Sequence, residues 1–282
     1  MIIDFHTHAF PDGLAERAMA QLAPAAGDAF RPHHDGTLGG LLRLMDAAGV
    51  DRAVVASIAT KPAHAGPILD WSLRIASDRI IPFASVHPDD GEAVRRVEAI
   101  AAAGLAGIKL HPFYQRFTVD EARLDPIYDA ARANGLIVLL HAGYDVAFPR
   151  DPLATPAATA RVVARHPGLK LVAAHLGGWM DWERARADLV GRPCWLDLSS
   201  SLEFLTPAAA RDLIERHGAR RVLFATDAPW SDPARTLARL RALELDPRQE
   251  EWILSANARE LLAEDAREAQ AAPPTPNQVP SS

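Results

Sequence analysis

The chain has 282 residues, 36 acidic and 30 basic, and a formal net charge of −6. It has no Lys/Arg-rich run to suggest a nucleic-acid surface, no apolar run of the roughly 18 residues a membrane helix needs, and no charged N-terminal segment followed by an apolar one. Its one cysteine, Cys194, excludes an intrachain disulfide and fits a reducing compartment.

These features predict a soluble cytoplasmic protein that takes a small-molecule substrate. They predict no nucleic-acid or membrane partner and leave a homo-oligomer open. In chain order, the first β-prone segment is Ile2–His6. The connection from Ala9 to His34 exceeds a minimal loop and predicts an extra helix and part of a lid. Further strands are expected at Asp51–Ile58, Ile80–Val86, Leu105–Leu110, Leu136–His141, Leu169–His175, Cys194–Leu198 and Arg221–Thr226, eight in all. Amphipathic stretches rich in helix formers separate them, among them Gly91–Ala103, Leu124–Asn134, Pro156–His166 and Pro207–His217. Gly follows several of these runs, as a left-handed C-cap requires. Segments such as Ile137–Leu140 are apolar throughout, which suits strands covered on both faces of a parallel sheet.

Eight strand-then-helix units predict a (β/α)8 barrel forming one domain over residues 1–265. A doubly wound open sheet is the alternative, and it normally carries fewer strands. Residues 266–282, rich in Ala, Pro, Gln and Ser without an apolar period, are expected to be a disordered tail.

In such a barrel the active site lies at the C-terminal ends of the strands. His6 and His8, two apart on a strand, point to the same side. The fourth predicted strand delivers Lys109 and His111, the fifth His141, the sixth His175 and the eighth Asp227. Three or four nitrogen and oxygen ligands with one position left for water make a hydrolytic metal site. Each residue also has a plainer reading. His141 and His175 could be core histidines, Asp227 an N-cap for the next helix, and Lys109 a strand-end charge. Asp4 is expected to make a structural hydrogen bond deeper in the barrel. His166 and His217 are expected at helix C-termini, where a cation is favoured. Asn257, with Glu260 three residues on, has the form of a capping box.

Together the motifs His6-Thr7-His8, Gly107-Ile108-Lys109-Leu110-His111-Pro112, His175-Leu176-Gly177-Gly178, Thr226-Asp227-Ala228-Pro229-Trp230 and Asn257-Ala258-Arg259-Glu260-Leu261-Leu262 resemble the amidohydrolase superfamily. The resemblance points to the amidohydrolase-related branch that includes the aminocarboxymuconate-semialdehyde decarboxylase-like metal-dependent enzymes, and it runs from Ile3 to about Leu262. It implies that His6, His8, His141 and Asp227 bind a divalent metal, zinc first and manganese second. It implies that His175 acts as catalytic base or polarising group and that Asp227 also accepts a proton. A histidine with a pKa near 6.5 and a carboxylate beside a metal can both move protons at neutral pH.

In binuclear members of the superfamily the strand-four lysine is often carboxylated and bridges two ions. On that pattern Lys109, His141 and His175 would serve a second metal. One ion is favoured over two, because three protein ligands and a water are met without Lys109. An unmodified Lys109 must then face a substrate anion or have a lowered pKa.

His111, Gln115, Arg116, Tyr144, Trp179 and Trp230 follow strand ends and are candidate substrate contacts, with rim or loop-packing roles as the alternative. The leading expectation is a metal-dependent hydrolase of an amide, lactone or ester. The alternative is a nonoxidative decarboxylase of a small unsaturated or aromatic acid, since fold and metal alone do not fix the reaction.

Overall fold

A computed structural model describes residues 1–27 and 30–263. The tail expected at residues 266–282 lies outside the described residues. Among the described residues, eight parallel strands appear in the expected order: β1 (Ile3–Thr7), β2 (Arg52–Ala56), β3 (Ile80–Phe83), β4 (Gly107–Leu110), β5 (Ile137–Leu140), β6 (Lys170–Ala173), β7 (Trp195–Asp197) and β8 (Val222–Leu223). Ladders join β1 to β3 and β4 to β8. Backbone bonds close both seams. At one, Ala84 N–H donates to Gly107 O (3.2 Å) and Lys109 N–H to Ala84 O (2.8 Å); at the other, Phe5 N–H donates to Phe224 O (2.8 Å) and Asp227 N–H to His6 O (2.7 Å). The result is a closed (β/α)8 barrel.

The strands are shorter than their apolar runs because residues at the C-terminal rim leave the ladder. Ser85 illustrates this: its hydroxyl donates to Lys109 O (2.8 Å) and accepts from Ala59 N–H (3.0 Å), in place of ladder bonds. The strands divide their side chains between two apolar clusters. Phe5, Val54, Phe83, Leu139, Val172 and Leu223 fill the barrel, closed off by Ala258 and Leu261 of the C-terminal helix Asn257–Leu261. Val55, Ile108 and Leu140 meet Val97, Ile127 and Leu213 of the surrounding helices. Gly107 gives the Phe83 ring its place, since a Cβ there would lie 2.6 Å from that ring and 2.7 Å from Ile137 O.

The helices begin and end where the sequence signals them. Thr37, Thr155 and Thr206 cap Leu38–Ala48, Pro156–Arg165 and Pro207–His217 by accepting backbone N–H bonds. Gly49 closes the first of these in the left-handed region, φ 70°. The long first connection contains a helix, Asp12–Ala26. Among the described residues, no helix is long and apolar enough to cross a membrane.

Two expectations at the periphery need correction. Asn257 is not a helix cap: it lies inside a continuous helical run, and its Nδ2 donates to Ala219 O (2.7 Å) and Val222 O (2.8 Å). It ties helix Asn257–Leu261 to the start of β8. His217 ends helix Pro207–His217 as expected, but it is not the cation that position favours. It is buried, accepts Gly191 N–H at Nδ1 (3.1 Å) and faces Cys194 O through Nε2 (3.0 Å). That pair of bonds requires the neutral ring, and burial lowers its pKa to about 4.

Candidate metal centre

β1 carries His6 and His8 to the rim, and the turn after β8 brings Asp227 against them. Asp227 has a left-handed backbone, φ 67°, which lets its side chain turn back towards β1. Asp227 Oδ1 lies 3.0 Å from His8 Nε2 and 3.5 Å from His6 Nε2. These three residues form one group whose ligand atoms all lie within 4.8 Å of one another. Metal bonds of 2.0–2.1 Å in a tetrahedron place ligand atoms about 3.3 Å apart, so the spacing suits one divalent ion.

Hydrogen bonding behind the ligands agrees with that fit. His8 Nδ1 lies 2.7 Å from Ala56 O, an acceptor only, so Nδ1 carries the proton. Nε2 of neutral His8 then turns a lone pair towards a carboxylate oxygen. Two acceptors at this distance need a cation between them or a second proton on His8. A metal ion satisfies Asp227 and both imidazoles together. Burial alone would favour protonated Asp227; positive charge at His6 and His8, which a shared cation supplies when the rings are neutral, outweighs burial and holds the carboxyl well below its usual range.

Lys109 is fully buried with Nζ 2.8 Å from His6 Nε2. Burial pulls its ammonium down to about 8, against the opposing influence of Asp227 and Asp197. Burial, reinforced by the Lys109 charge, also holds His6 below the ordinary histidine range. Asp4 makes the structural contacts expected of it: Oδ2 accepts the Thr226 hydroxyl (2.6 Å), and Oδ1 accepts Thr226 N–H (3.0 Å) and His6 N–H (3.3 Å).

His141 lies outside the His6–His8–Asp227 group. Its Nε2 faces Tyr144 O (2.9 Å), and its Nδ1 lies 3.0 Å from His175 Nε2. His175 Nδ1 in turn faces Ser199 O (3.0 Å). Both rings have a carbonyl acceptor on the far side, so both nitrogens of the close contact present lone pairs unless they share a proton or a cation. His111 stacks on His141 with centroids 4.1 Å apart, and its Nε2 is 3.3 Å from Asp145 Oδ2.

Above these groups lies a cavity of about 460 Å³, within the usual range for small-molecule sites. Its floor includes His6, His8, Lys109, His141, His175 and Asp227. Helix Asp12–Ala26 forms one wall with Leu14, Ala18 and Leu22, spaced four apart on one face and with Arg17 beside them.

The sequence model of the amidohydrolase family matches residues 3–263. The chain belongs to the amidohydrolase family. No curated protein sequence matches it. Among solved structures, this amidohydrolase is similar to an uncharacterised TIM-barrel protein from Bordetella bronchiseptica (23% identity, TM-score 0.76, 94% of this chain and 99% of the other). It is similar to a 5-carboxyvanillate decarboxylase from Novosphingobium aromaticivorans with bound manganese (15%, 0.69, 93% and 97%). It is also similar to a probable 2-pyrone-4,6-dicarboxylic acid hydrolase from Acinetobacter baumannii with citric acid bound (16%, 0.65, 93% and 99%). At these identities the likeness establishes the barrel fold. The family is one of metal-dependent enzymes, and these relatives include both a decarboxylase and a hydrolase.

Of the amidohydrolase's expected substrate contacts, His111, Tyr144, Trp179 and Trp230 line the cavity, whereas Gln115 and Arg116 do not. Gln115 is buried and committed to backbone: Oε1 accepts His111 N–H (2.8 Å), and Nε2 donates to Ala59 O (2.9 Å) and Val86 O (2.7 Å). It braces the turn after β4. Arg116 follows in a left-handed conformation, φ 56°, and is absent from the lining. Asp197 is one site residue that sequence reading missed, along with Asp145 and Ser200. It ends β7, and the rule used for the other strands, a polar group at the C-terminal end of an apolar run, would have found it.

Proposed function

We propose that this amidohydrolase is a metal-dependent hydrolase that cleaves an amide, lactone or ester in a small, mainly apolar organic substrate. The observation that carries this reading is the convergence of three acceptor atoms, on His6, His8 and Asp227, at the floor of a substrate-sized cavity. Those residues would hold a divalent ion, zinc first and manganese second. When bound, the ion supplies Lewis acidity that activates water and polarises a substrate oxygen at neutral pH.

The protein's own groups provide the rest. Asp227 Oδ2 accepts the Ser200 hydroxyl at 3.2 Å, which fixes the carboxylate while Oδ1 serves the metal site. Asp227 takes the proton released from water. His175 Nε2, opposite His141 Nδ1, is placed to pass a proton to the leaving group. Trp179 and His111 line the cavity, and their Nε1 and Nδ1 atoms are buried with no hydrogen-bond partner among the described residues, which leaves both rings free to re-pair when a substrate packs against them. Leu14, Ile68 and Trp71 on the walls exclude water from the substrate's body.

Decarboxylation of a small unsaturated or aromatic acid is the second reading. It is favoured by Lys109, a buried cation at the cavity floor that would face the substrate's carboxylate.

Elemental analysis followed by product analysis tests the proposal. Protein grown with zinc or manganese is expected to hold one equivalent, with a shared proton between His141 and His175. Two equivalents would place a second ion between those rings and bring Lys109 into its coordination. The metal-loaded enzyme is then offered esters, lactones, amides and aromatic acids. Release of acid plus alcohol or amine supports hydrolysis. Carbon dioxide release without hydrolysis selects the second reading, and failure to bind metal under any condition overturns both.

A further inference from the structure

The groups behind His6 carry an assignment that neither the family match nor the similar structures supply. Asp197 is fully buried at the end of β7. Its Oδ1 accepts three donors: His175 N–H (2.9 Å), Ser199 N–H (3.0 Å) and the Ser199 hydroxyl. Its Oδ2 faces His6 Nδ1 at 3.0 Å. We propose that Asp197 is a positioning residue that fixes the tautomer of His6 and the pose of His175, so that His6 Nε2 is presented unprotonated to the metal site.

A carboxylate only accepts hydrogen bonds, so His6 Nδ1 carries the proton and Nε2 is bare. The far side of the ring gives independent support. Lys109 Nζ, a donor, sits 2.8 Å from Nε2, as an unprotonated nitrogen requires. The same carboxylate holds His175 through its backbone. His175 has φ 60°, a strained conformation for a residue other than Gly, and such a conformation persists where surrounding bonds over-determine it. One side chain thus orients a metal-ligand candidate on β1 and the proposed acid–base histidine in the turn after β6, positions distant in sequence. Carboxylates behind ligand histidines act in this way at metal sites generally, and removing one typically weakens metal binding by about 10- to 100-fold.

Asp197→Asn is a directed test because the outcome for the amide is forced. The three donors on Oδ1 require the amide oxygen there. The amide nitrogen must then face His6 Nδ1, which becomes an acceptor, and the imidazole proton moves to Nε2. The relevance to metal rests on the proposed hydrolase, but the first measurement does not. Nitrogen-15 NMR of the metal-free wild-type protein is expected to show His6 protonated at Nδ1; protonation at Nε2 would overturn the proposal. In Asp197→Asn the proton is expected at Nε2, and the affinities for zinc and cobalt are expected to fall by about 10- to 100-fold. An unchanged tautomer with unchanged affinity also overturns it. If the variant fails to fold, the wild-type tautomer decides the question alone. Should wild-type protein bind no metal yet show His6 protonated at Nδ1, the hydrolase reading falls and the role of Asp197 stands.

Discussion

Side-chain chemistry at the cavity floor is decided by which nitrogen of each histidine is occupied by protein. His8 gives Nδ1 to Ala56 O, and His141 gives Nε2 to Tyr144 O, so one nitrogen of each ring is left, to face Asp227 and His175 respectively. Asp227→Asn is expected to keep the fold, because Asn tolerates the left-handed backbone that this position requires. The same change removes the anionic ligand and proton acceptor. Metal affinity should fall by at least about 100-fold, beyond the loss of a supporting partner, and turnover should disappear; near-normal turnover in the folded variant would sink the mechanism. His217 makes a prediction remote from the metal centre. Its folded pKa, about 4, lies below the unfolded value of 6.5. Between these values the unfolded chain binds more protons, so stability rises with pH. The contribution of His217 is complete above pH 6.5, falls as pH drops through the interval and is lost near pH 4. It amounts to about 3 kcal/mol. Urea unfolding at pH 7 and pH 5 should show a smaller loss in His217→Gln than in the wild type.

Elements matter at this site chiefly through the turns that follow the strands. The turn after β5 and the turn after β6 pair through backbone: Trp179 N–H donates to Ala142 O (2.9 Å) and Tyr144 N–H to Trp179 O (2.9 Å). Gly143 stands at this crossing with φ 91°, and a Cβ there would overlap the backbone nitrogen of Trp179. Gly143→Ala is expected to cost roughly 2–4 kcal/mol, from overpacking plus left-handed strain. It should also displace Tyr144 and Trp179, two cavity-lining residues. Gly49→Ala is the control. That position is left-handed as well, but a Cβ meets nothing within 4 Å, so only strain of about 1 kcal/mol remains. Thermal melts of the two variants should separate clearly, and equal losses would show that the turn crossing is slack.

For the whole molecule, the barrel brings buried and half-buried acceptors together before any metal arrives. Asp227 against His8, and His141 against His175, are each short of a positive charge. Metal binding to the native state should therefore stabilise the entire chain. A free metal concentration 100 times Kd adds about 2.7 kcal/mol, which corresponds to a rise of about 5–10 °C in Tm for a domain of this size. Melts with chelator and with added zinc or manganese would measure it. A Tm unmoved by every divalent ion would count against a centre at His6, His8 and Asp227.

The positions of the eight strands, the glycines that end several helices and the polar residues at the strand ends were legible in the sequence by itself. They rest on local physics: strand periodicity, apolar runs covered on both faces and Gly at helix ends. The pair His6 and His8 was visible for the same reason, since residues two apart share a face. Only the tertiary structure decided how the rim residues group. It set His141 against His175 rather than beside His6, gave Gln115 to backbone groups, and brought Asp197 from β7 behind a histidine on β1. It also turned helix Asp12–Ala26 towards the cavity. Such outcomes depend on competition for each ring nitrogen among carbonyls and carboxylates carried by strands far apart in sequence. That competition is settled by three-dimensional packing, and no local pattern encodes it.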